Sequence, residues 1–179
     1  MRNKIGYLCF ALFIVVAIFR IYSNIIFKQE LGGHLKRAAD ANTIELALTE
    51  LKTSLKYIED NNLTSGYTSV LYETPDEDLS FWYTNIKASA DELEKSKGAS
   101  LLEKTNVLLK LRESLMDDGS KGSSITYPQG LSIYPYNKEI AILFLISLLF
   151  LPILLVELIK YDKEEKLKLA KKKNSESKQ

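Results

Sequence analysis

Two long apolar runs frame the chain. The first covers Ile5–Phe19 and continues to Phe27, interrupted only by Arg20, Ser23 and Asn24. The second covers Ile140–Ile159 and contains Pro152 and Glu157. A membrane-spanning helix needs about 20 predominantly apolar residues, so the pattern predicts spans at 5–27 and 139–159. Arg2 and Lys4 ahead of the first run also suit a signal peptide, which is the alternative for that stretch. An uncleaved anchor is favoured, because no A-x-A pattern follows and Ile21-Tyr22-Ser23 is a poor cleavage site. Pro152 is tolerated in a membrane helix and predicts a kink there.

Between the runs the period becomes that of amphipathic helices. Ala41, Ile44, Leu48, Leu51, Leu55 and Ile58 recur at spacings of three and four, with Glu45, Glu50, Lys52 and Lys56 off the stripe. One helix is predicted from about His34 to Ile58, ended by Asp60-Asn61-Asn62. Gly32-Gly33 ahead of it permits a bend or a loosened helix. Leu63–Thr74 has no helical stripe. Ser65-Gly66 marks a turn, and the β-branched and aromatic residues of Thr68–Tyr72 suit a short extended segment. A loop of this length is functional or packed on its own side chains, here Tyr67, Val70, Leu71 and Tyr72.

Thr74-Pro75-Asp76-Glu77 predicts the next helix start, with Thr74 as N-cap, Pro75 at N1 and Glu77 as capping-box partner. That helix runs to Lys95 with Leu79, Trp82, Ile86, Ala90 and Leu93 on one face. Ser96–Ala99 breaks it, and Ser100 with Glu103 forms a second capping box. The third helix runs to about Met116, its inner face read as Leu101/Leu102, Thr105, Leu108/Leu109 and Leu115/Met116. After a Gly/Ser-rich loop over Asp117–Ser124, Ile125–Tyr127 and Leu131–Ile133 flank Pro128-Gln129-Gly130 and predict a small hairpin. Asn137 is placed to cap the second span. The predicted fold is an all-α membrane protein: two transmembrane helices flanking a small extracytoplasmic three-helix antiparallel domain (28–138) with a minor β-hairpin.

Charge adds direction. Residues 29–138 carry twelve Lys/Arg against seventeen Asp/Glu, a balance of −5, while 160–179 carry eight Lys against four acids, a balance of +4; the whole chain is +1. The positive-inside rule then puts the leader 1–4 and the basic tail 160–179 in the cytoplasm and 28–138 outside. Tyr7 and Tyr161 fall where an inner aromatic belt belongs, Tyr22 and Tyr136 where an outer one does. Charge sorted this way points to membrane topology and against nucleic acid as a partner. The lysines of the tail, Lys163, Lys166, Lys168, Lys171, Lys172 and Lys173, suit anionic lipid head-groups. The single cysteine, Cys9, lies in the first apolar run, so no intramolecular disulfide can form and the outer domain must hold by packing.

Candidate chemistry is sparse. The sequence contains no G-x-S-x-G, no P-loop and no G-x-G-x-x-G. His34, Arg37 and Asp40 share a helix face at spacings of three, read as a hydrated face because a metal site wants several ligands. Asp76-Glu77-Asp78 lacks the spaced oxygens and the glycine of an EF-hand and reads as helix capping. No cofactor or metal is implied. Asn62-Leu63-Thr64 is a glycosylation sequon, relevant only in a eukaryotic secretory host.

Phe81-Trp82-Tyr83 cannot all face one core, since consecutive helical residues point in different directions. Trp82 continues the apolar stripe. Phe81 and Tyr83, with Tyr67 and Tyr72, are the candidate partner-binding residues, packing beneath the 63–74 loop being the alternative. The plan of span, helical domain and span resembles that of bacterial sensory receptors, although only about twenty residues follow the second span where such a receptor continues into an output module. The expectation is a non-enzymatic accessory or scaffold subunit that contacts another membrane or envelope protein. A ligand-sensing domain signalling through its spans is the alternative.

Overall fold

The computed structural model describes residues 2–119 and 122–176; among these, the side chains of 2–6, 9, 118–119, 150–151, 153–154, 157 and 171–176 lie outside the description. The chain is mostly helical. Helix α1 (Arg2–Phe27) passes through a π turn at Lys28–Gly32 directly into α2 (Gly33–Ala39). Then follow α3 (Ile44–Asp60), α4 (Leu79–Lys95), α5 (Leu101–Leu115), strands β1 (Met116–Gly119) and β2 (Gly122–Ile125), and α6 (Asn137–Glu176). Among the described residues, one helical stretch, Phe10–Ala39, is long and apolar enough to cross a membrane, and only 11% of its most apolar window is buried.

At the glycine pair the helix loosens into a π turn and continues. Gly32 and Gly33 both keep right-handed helical angles, and the Gly33 N–H reaches back to the Lys28 carbonyl. A Cβ on Gly33 would sit 3.1 Å from that carbonyl, so the missing side chain gives the wide turn room.

The single helix expected over 34–58 is two helices. α2 ends at Asp40, and Thr43 adopts extended angles with its hydroxyl accepting the Leu46 N–H at 3.3 Å. Thr43 is therefore an N-cap, and α3 starts afresh beyond it. The apolar stripe concealed the break because half-buried Ala41 lies in the connection and is still three residues from Ile44. The helical domain consequently has four helices, not three. α3 packs on α2 and α4, and α5 touches all three. Leu31, Leu35, Ile44, Leu51, Ile58, Leu79 and Leu93 are fully buried at their centre.

Three further expectations shift. The 74–77 motif closes a 3₁₀ turn, with the Thr74 hydroxyl on the Glu77 carboxylate at 2.6 Å; α4 itself is capped by Asp78, which accepts the Ser80 and Phe81 N–H groups. The inner face of α5 is Val107, Leu108, Leu111 and Leu115, while Leu101, Leu102 and Leu109 face outward. The hairpin lies earlier than predicted, pairing Met116 with Ile125 and Gly119 with Gly122. Its tip, Ser120-Lys121, falls outside the described residues.

Pro128-Gln129-Gly130 instead closes a tight turn into a 3₁₀ segment, Leu131–Ile133, through a Leu131 N–H to Pro128 carbonyl bond of 3.3 Å. Asn137 does not cap α6 with its oxygen; its side-chain amide donates to the Gly130 carbonyl at 2.9 Å. The Ser100 cap holds, its hydroxyl accepting the Glu103 N–H.

The chain forms two compact units. One is Arg20–Lys138, the four-helix domain with its hairpin and the C-terminal end of α1. The other joins residues 1–19 and 139–179. In this second unit Phe13 of α1 and Phe144 of α6 stack obliquely at 5.8 Å, beside buried Val16 and Ser147. α6 is helical on both sides of Pro152 and continues through the basic tail. Lys, Glu, Leu and Ala are good helix formers, and Lys166 pairs with Asp162 one turn back at 2.7 Å.

Candidate partner-binding surface

The candidate surface is built by the segment between α3 and α4. Its base is pinned on both sides. Leu63 is buried, the Tyr134 hydroxyl donates to the Ser65 carbonyl at 3.0 Å, and Tyr67 pairs with Asp78 as an isolated antiparallel bridge. The Thr68 N–H bonds the Glu77 carbonyl and the Leu79 N–H bonds the Gly66 carbonyl. Thr68 and Ser69 are buried beneath the tip.

With its base fixed, the tip projects its apolar residues outward. Leu71 is 88% exposed and Tyr72 74%. Phe81, on the first turn of α4, is 65% exposed. The loop therefore does not pack on its own side chains. Two shallow clefts flank Tyr67. One, of about 370 Å³, lies between Tyr67, Pro75, Asp78 and Phe81; the other, of about 420 Å³, lies between Tyr67, Leu71, Tyr72 and Lys138. Glu73 borders both. The surface thus combines exposed aromatic and aliphatic groups with two acids, Glu73 and Asp78, and one base, Lys138, at its edges.

Tyr83 lies elsewhere. Its hydroxyl donates to the Glu59 carboxylate at 2.7 Å, and the Lys87 ammonium sits 5.7 Å from its ring centre. The hydrogen bond to Glu59, with desolvation adding, raises the Tyr83 phenol above its ordinary value. Tyr83 thus ties α4 to α3. Tyr67, Tyr72 and Phe81 are brought together around the two clefts, joined by Leu71, and Val70 beside it in the chain is also exposed. Those two could have been suspected from sequence, because Val70-Leu71-Tyr72 fits neither a helical nor an alternating stripe and so has no core face to join.

The polar face of α2 is also resolved differently from its sequence pattern. His34 and Arg37 converge on Glu50 of α3, while Asp40 pairs with Arg112 of α5. Among the described residues no group of three His, Cys, Asp or Glu side chains could hold a metal ion. On the tail, Lys163, Lys166 and Lys168 are exposed along α6; the side chains of Lys171, Lys172 and Lys173, like those of Cys9 and Glu157, lie outside the described set.

The fold and surface define a helical protein with, among the described residues, one helix suited to crossing a membrane and an exposed aromatic loop. The chain matches no protein-family model, no characterised protein and no solved structure at a significant level.

Proposed function

We propose that the chain is a non-enzymatic integral membrane protein, an accessory or scaffold subunit that docks on another membrane or envelope protein. In this reading α1 and the 139–159 stretch of α6 are the two spans, both termini are cytoplasmic and 28–138 is extracytoplasmic. The tail then lies on anionic head-groups through its lysines. One observation carries the docking role: Leu71, Tyr72 and Phe81 stay exposed around clefts that share Tyr67, although the loop that bears the first two is pinned at its base and Phe81 stands on α4. Large apolar groups held rigidly in solvent suit a protein partner better than a fluid one, because little side-chain ordering is left to offset on binding.

The test is site-specific photocrosslinking in native membranes, with the photoreactive residue at position 72 or 81 and, as control, at 83. A discrete adduct from 72 and 81 that is absent from 83 and lost in Leu71→Asp supports the reading. Equal yields at all three positions, or none, remove it.

A sensing role is the second reading. The observation in its favour is the unbroken helical backbone through Gly32-Gly33. From sequence, Gly32-Gly33 permits a bend or a loosened helix there, which argues against rigid continuity from the domain into the span.

A further inference from the structure

We propose that the Arg20–Lys138 unit carries a groove for one acyl chain of a surrounding bilayer phospholipid. The groove encloses about 320 Å³, at the lower end of the roughly 300–1,000 Å³ usual for small-molecule sites. Tyr22 and Ile26 of α1 form one wall. Tyr57 and Leu63, near the end of α3, form the second, and Tyr134 and Tyr136, just before α6, form the third. Phe27 and Leu131 lie at its base and are buried.

The lining determines the chemistry. It contains no Asp, Glu, Lys or Arg. Burial, with Glu30 adding, raises the Tyr57 phenol above its ordinary value, so this wall is neutral as well. A phosphate, carboxylate or ammonium ligand would find no countercharge. Ser23, Asn61 and Ser132 supply the polar side chains besides the phenols. Between these polar groups, Ile26, Phe27, Leu63, Leu131 and the tyrosine rings offer aliphatic and aromatic surface, which suits a run of methylenes.

Position determines the source. The α1 wall, Tyr22–Phe27, is part of the stretch Phe10–Ala39 that is long and apolar enough to cross a membrane. Tyr22 and Tyr136 are exposed at the groove, and both are of the residue type that favours the membrane–water interface. The walls are also pre-set. Phe27 meets Tyr127 edge-on at 4.9 Å, the Tyr134 hydroxyl is held by the Ser65 carbonyl, and the Asn61 amide by the Tyr57 carbonyl. A preformed groove needs little ordering to take a chain.

The inference rests on α1 crossing the membrane, and one experiment separates the two. The full chain is reconstituted in nanodiscs of phosphatidylcholine and phosphatidylglycerol, doped with phosphatidylcholine bearing a mid-chain diazirine, then illuminated and mapped by mass spectrometry. Adducts are expected within 10–19, from bulk lipid, and also on Tyr57 or Leu63, which belong to neither long apolar run. Ser132→Trp, filling the groove, should lower the Tyr57 and Leu63 adducts several-fold while leaving those at 10–19 unchanged. Ser23→Trp fills it from the opposite wall and serves if Ser132→Trp does not fold. Adducts at 10–19 alone overturn the groove and leave the span. No adducts at either place overturn both. Tyr57 or Leu63 adducts undiminished in a folded Trp variant also overturn the groove, since the label then arrives by another route.

Discussion

The Nδ1 of His34 lies 2.6 Å from Oε2 of Glu50, and the Arg37 guanidinium reaches the other oxygen of the same carboxylate at 2.5 Å. Glu50 is only 8% exposed, whereas the Arg37 side chain is 70% exposed. A buried acid on α3 is thus held by two more accessible bases on α2, and the helical hairpin is fastened by charge as well as by its apolar seam.

That asymmetry makes a prediction. Removing both bases strands a buried carboxylate, which costs about 3–5 kcal/mol. Glu50→Gln instead leaves the Arg37 guanidinium and the His34 ring, which water can solvate, and costs about 1 kcal/mol. Thermal or urea unfolding of the full chain in detergent should rank His34→Ala/Arg37→Ala well below Glu50→Gln. Adding Glu50→Gln to the double variant should restore part of the loss. Equal losses would show that the pair contributes contact area and not charge.

Trp82 and Phe81 are neighbours with opposite roles. The Trp82 indole is half-buried, and its N–H points to the Thr126 carbonyl at 3.4 Å, tying α4 to the segment after β2. Trp82→Ala should therefore cost about 2 kcal/mol, below the roughly 3–5 of a fully buried tryptophan. Phe81→Ala removes an exposed ring and should stay within about 0.5 kcal/mol, while weakening partner crosslinking. A larger loss of stability from Phe81→Ala than from Trp82→Ala would exchange the two assignments.

How far the sequence reveals these features depends on the length scale of each interaction. The α4 stripe was legible because Leu79, Ile86, Ala90 and Leu93 repeat over several turns and all are buried. The Ser100 cap was legible because it is local. The break at 40–43 was not, because the stripe kept its phase across it and only the Thr43 torsions reveal it. Glu50 looked like a solvent-facing position because its partners come from a different helix. The outward face of Leu101, Leu102 and Leu109 was equally hidden, since a leucine-rich helix offers two apolar faces and tertiary packing chooses between them. Of the candidate surface, the aromatic residue types were visible. Their convergence was not, since it depends on the Tyr67–Asp78 bridge and the Tyr134 hydroxyl, contacts that span up to 69 residues.

Gly130 holds a left-handed conformation, φ 79° and ψ 4°, as the third residue of the turn begun by Pro128. A Cβ there would lie 2.5 Å from the Asn137 amide nitrogen that donates to the Gly130 carbonyl. Gly130→Ala therefore combines backbone strain with loss of the bond that ties the turn to α6, and should cost about 1–3 kcal/mol. Asn137→Ala removes the bond without the strain and should cost about 1 kcal/mol. Scanning calorimetry on the two variants should show that order; the reverse would mean that the turn relaxes and the amide bond dominates.

Glu94 gives the acid side of the stability profile. Hydrogen bonds from Lys52, at 2.8 Å, and Lys97, at 2.5 Å, hold its carboxyl at about 2, against an ordinary 4.5. Because the folded value is the lower one, the contribution is complete above pH 4.5 and is lost as pH falls toward 2. All three side chains are solvent-exposed, so the effect is small and screened by salt. A carbon-detected NMR titration at low ionic strength should place the Glu94 midpoint clearly below the other exposed glutamates. Lys52→Ala, removing the larger cause, should move it upward, and molar salt should do the same. A midpoint indifferent to both changes would show that the lysines do not hold the carboxylate.

The proposed topology places the α4 face and the tail on opposite sides of the membrane, and labelling can separate them. Because Cys9 is the only native cysteine, Cys9→Ser supplies a clean background. Ser89→Cys, on α4, should react with a membrane-impermeant maleimide in intact cells. Lys168→Cys, exposed on α6 beyond the apolar run, should react only after permeabilisation. Labelling of both in intact cells would remove the 139–159 span, leaving α1 as a lone anchor and α6 as a surface helix. Labelling of Lys168→Cys alone would invert the orientation, and the exposed Tyr72 and Phe81 would then face cytoplasmic partners.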